Sequence, residues 1–502
     1  MFRPLDPADR DIASRSKLAA ALLEGPQAGL CAIGHCFQCV DPQKNGTRTC
    51  RIKGAAFETP PPVDAIVIGA GPAGAACALA LAAEGVETLL LDAEGAAGGN
   101  VWRKPRGADG GSGAWLRARV ASAKHLHHRA GVEVLDIRDG KEVWALDGTG
   151  RGHVLRAAAI VVATGAIERN VAVPGWELPG TFNLGGLQAL AKGQGIVPDG
   201  PVLLAGTGPL LYLVANDLRL AGVRLAGVVD AAGWPTVAVL RALWAAPGLA
   251  ARAIGYVAGL MRAGVPILRN SAVTRIAGAG RVERVTVARL DQAGRERHFD
   301  VSTVGLGYGL LPNTELVQVA GAELAFERAL GGWHAAVDGA GETSIANLYA
   351  IGETRGIRGV EAALCDAPET AAAIVARLGR TVSPELQVAV RRAQIRRQLF
   401  ERAARVFGAW MRVPAVSSDP ATIVCRCEHV RRADLDAAVA LDLDAPAAIK
   451  MATRIGMGLC QGRVCAAGIG AGAGGGVDVS AGPPRARFPA RPCPANAFFE
   501  RV

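Results

Sequence analysis

"VDAIVIGAGPAGAACALALAAEGVETLLLDAE", residues 63–94, decides the fold. Its first apolar run has the length of a buried strand and stops at Gly69-x-Gly71-x-x-Gly74. An alanine- and leucine-rich stretch of helical character runs to about Gly85, and a second apolar run ends on Asp92. A strand before, a helix after and an acid roughly twenty residues on make this a dinucleotide-binding unit rather than a chance glycine pattern. Gly69 permits the tight turn, Gly71 lets a pyrophosphate approach the backbone, and Gly74 lets helix and strand pack closely. The helix N-terminus then faces the phosphates, and Asp92 is placed to accept hydrogen bonds from ribose hydroxyls. The competing reading is a glycine-rich turn that holds no ligand.

The pattern recurs. "GPVLLAGTGPLLYLVANDLRLAGVRLAGVVD", residues 200–230, is a second strand, turn, helix and strand, with Gly206-x-Gly208 in the turn and Asp230 at the end. Leu211 stands where a third glycine belongs, and its bulk pushes helix from strand. Binding of a dinucleotide or adenylate and a purely structural copy are both open here. Two further segments, "AAIVVATGAIERNVAVPGWELPG" (residues 158–180) and "ANLYAIGETRGIRGVEAALCDAPETAAAIVARL" (residues 346–378), each carry a strand into a glycine turn. Two nested dinucleotide folds, the first interrupted and resumed, resemble the two-dinucleotide-binding flavoproteins. "VVATGA" and "YAIGE" are similar to the second and third flavin-contacting motifs of that superfamily. The likeness implies FAD, with Thr164 and Gly165 near it and Gly352 and Glu353 near its ribityl–phosphate region. Many relatives carry Asp where Glu353 stands.

The chain has 11 cysteines. Cys31-x4-Cys36-x2-Cys39 followed by Cys50 is the plant-type ferredoxin spacing for a [2Fe–2S] cluster. Zinc competes, although zinc sites usually show two C-x2-C knuckles. Near the other end stand Cys425-x-Cys427 and Cys460-x4-Cys465. This set resembles the bacterioferritin-associated-ferredoxin-like [2Fe–2S] domain, which the helix-favouring "RRADLDAAVALDL" between the pairs fits; zinc competes here too. Glu428 reads as a cap or salt-bridge partner. Cys77 and Cys365 read as small core residues, and Cys493 is isolated. No C-x-x-C follows the first dinucleotide helix, as a disulfide reductase would need. "HLHH", His125 to His128, reads as a polar helix face more readily than a metal site, and His334 as a loop hydrogen bonder more readily than a residue that approaches the flavin.

Gross properties set the outer limits. The chain has 502 residues, is half apolar and one-fifth charged, and carries a net charge of +10. The composition is globular, and the length asks for several domains. The arginines are scattered, with a denser run only at "RRAQIRRQLFERAARVF" and no accompanying nucleic-acid motif, so no nucleic acid is expected. No secretory signal stands at the start. The greasy stretch from Leu225 to Met261 is interrupted by charges and prolines, so no transmembrane segment is expected. A cytoplasmic protein is expected, reaching a membrane only through partners.

The expected fold class is α/β, with nested Rossmann-like folds flanked by a small ferredoxin-like module and a small helical [2Fe–2S] domain. The expected boundaries are 1–58 for the abbreviated ferredoxin-like module, 62–195 with 300–385 for FAD, and 196–299 for the second dinucleotide domain. A helical linker at 386–415, the cluster domain at 416–470 and a tail at 471–502 complete the chain. "ATGAIERNVAVPGWELPGTF", "LLAGTGPLLYLVA", "GYGLLPNTEL" and "CRCE…GMGLCQGRVC" resemble the FAD-containing subunits of hydrogen cyanide synthase and of octopine and nopaline oxidases. They are also similar to the alpha subunits of D-hydroxyproline dehydrogenase and heterotetrameric sarcosine oxidase. The resemblance implies a D-amino-acid-oxidase-like beta subunit that oxidises the amine. It makes this chain an oxidoreductase subunit that relays electrons through its FAD and two [2Fe–2S] clusters to a quinone or other redox carrier. No catalytic residue is assigned. The second nucleotide site would hold NAD(P), ATP or nothing. The alternatives are a stand-alone NAD(P)H-dependent flavin reductase using Gly206 and Gly208, and a scaffold subunit that anchors a catalytic partner.

Overall fold

The first apolar run forms the strand Ala65–Ile68, buried along its whole length, and Gly71 ends the turn into the helix Pro72–Ala83. In the computed structural model the described residues are 62–103, 111–465 apart from 234, 246, 293, 444 and 445, then 486–491 and 493. Three short strands, Phe2–Pro4, Val40–Pro42 and Arg48–Cys50, are described ahead of them. The last two pair antiparallel, Val40 opposite Cys50.

The chain divides into two units. One comprises Gln38–Ala166, Leu311–Val406 and Arg485–Val502. Its five-stranded parallel sheet runs Leu348–Ala350, Ala159–Val162, Ala65–Ile68, Thr88–Asp92, Leu126–Ala130. The order reverses between the first strand in sequence and Ala159–Val162, and such a switch point opens a ligand crevice at the carboxyl ends of the strands. An antiparallel meander of Glu133–Arg138, Glu142–Leu146 and Gly152–Arg156 is inserted ahead of Ala159–Val162. The sheet is buried on both faces, as a near-continuous apolar pattern requires. "HLHH" departs from its expected helix: it enters the edge strand Leu126–Ala130, with His125 at φ +58°. Parallel pairing with Thr88–Asp92 overrides the local preference, and His125 and His127 both bond the Glu87 carboxylate.

The other unit comprises Met1–Phe37, Ile167–Leu310 and Phe407–Pro484. It repeats the plan: Thr181–Asn183, Thr303–Gly307, Val202–Gly206, Leu225–Asp230, Ile267–Arg269, all parallel. Its meander is Ser271–Ala277, Arg284–Arg289 and Glu296–Asp300. The cysteine module adds a short hairpin, Ile423–Cys425 with Val430–Arg431, and the helices Arg432–Val439 and Pro446–Thr453. This module has no separate core. Cys425, Cys460, Cys465, Ile449 and Ile455 share one apolar cluster with Leu203, Val229, Val285 and Trp176 of the second dinucleotide fold.

The expected helical linker is one helix, Pro384–Trp410. Two arginines of its run form pairs within the chain, Arg397 with Glu369 and Arg405 with Glu327 at 2.7 Å, while Arg391, Arg392, Arg396 and Arg402 are exposed. Among the described residues no helix is long and apolar enough to cross a membrane. The described part of the tail bends against the meander, where the Ala490 N–H bonds the Leu135 carbonyl and Phe488 meets Trp144 edge-on.

Trp176 is the seam of the shared core: it is 3% exposed, and its Nε1–H donates to the Ile423 carbonyl at 2.6 Å. Trp176→Ala is expected to cost about 3–5 kcal/mol in denaturant unfolding, through lost burial and a cavity. Trp176→Phe, which keeps most of the volume but strands that carbonyl, is expected to cost about 1–3 kcal/mol.

Candidate functional site

Four carboxyl ends of the first sheet bring together the residues singled out for a flavin. At the first turn Gly69 has φ +106°, and a Cβ there would lie 2.3 Å from the Ala163 carbonyl oxygen. A Cβ on Gly74 would lie 1.9 Å from the Gly69 oxygen. Neither position accepts a side chain. Gly71 differs, since a Cβ there would meet nothing within 4 Å. The space before it is open, and no side chain caps the helix that begins at Pro72. An uncapped N-terminus behind a bare backbone fits a pyrophosphate.

Asp92 ends the next strand, 8% exposed. Its Oδ2 accepts the Ala70 N–H at 2.5 Å and its Oδ1 the Glu94 N–H at 2.6 Å. Burial pushes its carboxyl up to about 6, against the pull of those two donors. A carboxylate has about four lone-pair directions, so two stay available for ribose hydroxyls. After the third strand, Thr164 donates to the Asn313 carbonyl at 2.8 Å, and the Asn313 N–H donates to the Gly165 carbonyl at 2.9 Å. After the fourth, Gly352 stands at φ +68° with Glu353 beside it, whose carboxyl is raised by burial.

Two residues that sequence reasoning passed over hold that last turn. Asp366, fully buried on the helix Val360–Arg377, accepts the Gly352 N–H at 2.9 Å and bonds both Arg358 and Arg355. Arg358 also donates to the Gly352 carbonyl at 3.0 Å and to Glu401 at 2.8 Å. Both backbone groups of Gly352 are therefore fixed by one buried ion pair. The signal was in the sequence, because an Asp in the middle of an apolar helix face needs a partner.

The second turn is built differently. Gly206 is packed like Gly69, its Cβ position 2.0 Å from the Gly307 oxygen. Gly208, the counterpart of Gly71, is covered: a Cβ there would lie 2.4 Å from Met411 Sδ. Asp230 is fully buried and accepts the Tyr212 hydroxyl at 2.7 Å and the Ala232 N–H at 2.9 Å.

The four C-terminal thiols come together from two loops. Cys425 and Cys427 Sγ stand 3.7 Å apart, and Cys427 and Cys460 Sγ 3.8 Å. Two thiolates on one tetrahedral metal with bonds of about 2.3 Å are roughly 3.8 Å apart. Among the described residues no three His, Cys, Asp or Glu side chains are gathered about one metal-ion position. Cys427 Sγ lies beside both Cys425 Sγ and Cys460 Sγ, and a two-iron cluster takes four thiolates in all. Hydrogen bonds from Cys427 and Cys465, with backbone N–H groups of Gly456 and Glu428, hold the Cys425 thiol far below its usual range. A hydrogen bond from Cys427, with the N–H groups of Val464 and Gly462, brings Cys460 down to about 7. Gly458 has no room for a side chain, since its Cβ would sit 2.4 Å from Cys427 Sγ. Glu428 bonds Arg454 at 3.0 Å, the expected salt bridge. Arg426, between the paired cysteines, lies 5.1 Å from the Trp176 ring and donates to the Glu177 carbonyl at 3.1 Å. It fixes the thiol hairpin to the second fold, a role that spacing alone did not reveal.

Cys31, Cys36 and Cys39 lie outside the described residues, as does the side chain of Cys50. Cys77 and Cys365 are buried free thiols, as expected of core residues. His334 Nδ1 bonds the Gly332 carbonyl at 3.0 Å.

Residues 63–372 match the family described as pyridine nucleotide-disulphide oxidoreductase, and residues 423–471 match the BFD-like [2Fe-2S] binding domain. The chain is 34% identical over 469 residues to hydrogen cyanide synthase subunit HcnB of Pseudomonas aeruginosa, covering 86% of this chain and 97% of that one. It is 34% identical over 428 residues to an opine oxidase subunit of Rhizobium meliloti, covering 80% and 90%. In fold it is similar to L-proline dehydrogenase from P. horikoshii, with a TM-score of 0.65 at 20% identity, covering 91% of this chain and 86% of that one.

Two outcomes check the first turn and its support. Asp366→Ala leaves Arg358 with Glu401 alone, removes the buried partner of Arg355 and orphans the Gly352 N–H, and a loss of about 3–5 kcal/mol in denaturant unfolding is expected, with weaker retention of flavin on gel filtration. Asp92 favours its neutral form in the fold. Its contribution is therefore full below about 4, the unfolded value, and fades as pH rises through about 6. Thermal midpoints of Asp92→Asn should flatten across that window relative to the parent chain.

Proposed function

The chain is an oxidoreductase of the pyridine nucleotide-disulphide oxidoreductase family, alongside hydrogen cyanide synthase subunit HcnB and an opine oxidase subunit, and from that membership we propose that it is the electron-relaying member of a multi-subunit amine or amino-acid oxidase. The substrate class is of the opine, glycine, hydroxyproline or sarcosine type. A D-amino-acid-oxidase-like flavoprotein subunit takes the amine, and a quinone or similar carrier takes the electrons. The observation that carries the reading is the four-thiol module, built into the same apolar core as the second dinucleotide fold.

The residues divide the labour. Gly71 and the helix start at Pro72 receive the pyrophosphate of FAD, and Asp92 receives its ribose. Thr164, Gly165, Gly352 and Glu353 line the same carboxyl ends, with Asp366 and Arg358 as positioning residues behind Gly352. Cys425, Cys427, Cys460 and Cys465 hold one [2Fe–2S] cluster, and Cys31, Cys36, Cys39 and Cys50 hold a second. Bound flavin accepts electrons in pairs and releases them singly, while such clusters carry one at a time. Disulfide chemistry has no place here. Cys77, the cysteine of the first dinucleotide helix, is sealed in the core, and burial raises its thiol to about 12.

Protein purified anaerobically should contain FAD, iron and acid-labile sulfide, and should give a paramagnetic signal on reduction. Cys425→Ser and Cys460→Ser should each abolish the C-terminal cluster's share of that signal while FAD absorbance persists. Zinc in place of iron, or reduced protein without a signal, would sink the relay. Co-purification with an amine-oxidising subunit but no redox-active cluster would leave a scaffold instead.

A further inference from the structure

The two dinucleotide folds share the order of their four inner strands, though the outer strand comes last in the chain in the first and first in the second, and they share the same tight first glycine, yet their second glycines face different surroundings. Before Gly71 there is open space, while before Gly208 lies Met411. Gly208 has φ +84° and immediately precedes the helix Pro209–Leu220, so Met411 covers the position from which a phosphate would approach that helix.

Met411 follows directly on the helix Pro384–Trp410, and its N–H bonds the Phe407 carbonyl at 3.0 Å. The next residue, Arg412, is exposed and donates to Asn270 Oδ1 at 2.7 Å. Asn270 follows the strand Ile267–Arg269 and bonds the Ala232 carbonyl through its own N–H at 3.1 Å. Residues 411 and 412 therefore span the carboxyl edge of the second sheet, from the end of Val202–Gly206 to the end of Ile267–Arg269. Between these strands runs Leu225–Asp230, the strand that supplies the acid.

What lies beneath retains the parts of a nucleotide site. Asp230 sits where a ribose-binding acid belongs, held by Tyr212 and the Ala232 N–H. Thr207, between the two glycines, is 2% exposed, and its hydroxyl has no hydrogen-bond partner among the described residues. A buried hydroxyl left unpaired is unusual in a turn built only to pack. Leu211 is absorbed into the apolar cluster of this fold, so the third-glycine substitution is accommodated without opening the turn.

We propose that Met411, anchored through Arg412, is a latch over a second adenine-nucleotide site, and that this one side chain determines whether the ADP portion of a dinucleotide enters. With the latch closed the chain takes no electrons from NAD(P)H. With it withdrawn, Gly208 and Thr207 present backbone and hydroxyl donors to a pyrophosphate. Apparent affinity falls by the fraction of chains with the latch open, so removing the latch raises affinity without adding a contact.

The test is calorimetric titration of flavin-loaded full-length chain with ADP, then with NADH. Met411→Ala, Met411→Gly and Arg412→Ala are compared with the parent chain. Met261→Ala serves as a control at an exposed methionine of the helix Pro247–Arg262. The Met411 variants should bind ADP about tenfold or more tightly than the parent, Arg412→Ala should move the same way by less, and Met261→Ala should not move. Arg412 is on the surface, so that variant reads the latch even if a Met411 variant folds poorly. Equal affinity in parent and variants, whether all bind or none does, overturns the proposal. Binding of ADP is read without electron flow, so failure here is distinct from failure of the relay.

Discussion

Backbone carbonyls stand where side chains would be at both sheet crossings, and the rest of the structure depends on that. The Ala163 oxygen lies 2.3 Å from where a Cβ on Gly69 would be, and the Gly307 oxygen 2.0 Å from that of Gly206. In each fold the approach occurs where strand order reverses, so the turn, the following helix and the crevice are fixed by one steric fact. An added methyl at either place would collide with main chain, which cannot rotate away as a flexible side chain does. Both crevices are thus specified with equal firmness as shapes. They differ in what stands before them.

Polar contacts then decide what each shape is for. In the first fold Asp366 and Arg358 are buried at the fourth strand end, and both backbone groups of Gly352 are spoken for. Burying such a charge network is a weak source of stability but a strong source of geometry, because each member stays compensated only where Glu401 and Arg355 also meet the pair. In the second fold the same logic places Arg426 against Trp176 and the Glu177 carbonyl. Burial lowers the Arg426 guanidinium only to about 10, so it stays charged at neutral pH and the contact keeps its cation–π and ionic character. The thiol loops are in this way fastened to a sheet rather than tethered beside it.

Much of this was legible from residue order. The glycine turns, the acid at Asp92, the strand Ala159–Val162 into Thr164 and the two cysteine pairs all lie within short windows, where local sterics and ligand spacing dominate. "HLHH" was misread because a strand at a sheet edge tolerates polar residues that resemble a helix face, and pairing with a neighbouring strand, invisible in the window, settled the matter. Trp176 and Arg426 were passed over for a related reason: each acts on a partner far along the chain, and nothing in its own neighbourhood names that partner. Asp366 and Arg358 lie only eight residues apart, but which groups they bind depends on how the helix Val360–Arg377 packs back on the Gly352 turn.

By itself the sequence determined two dinucleotide folds, the open turn at Gly71 and a four-thiol module, since each needs only a missing side chain or a fixed spacing. Tertiary structure alone decided that the module shares its core with the second fold, and that Met411 rests on Gly208. Those outcomes depend on whether two volumes, brought from segments far apart in the chain, meet at van der Waals distance. A linear pattern specifies each volume but not the place where they come together.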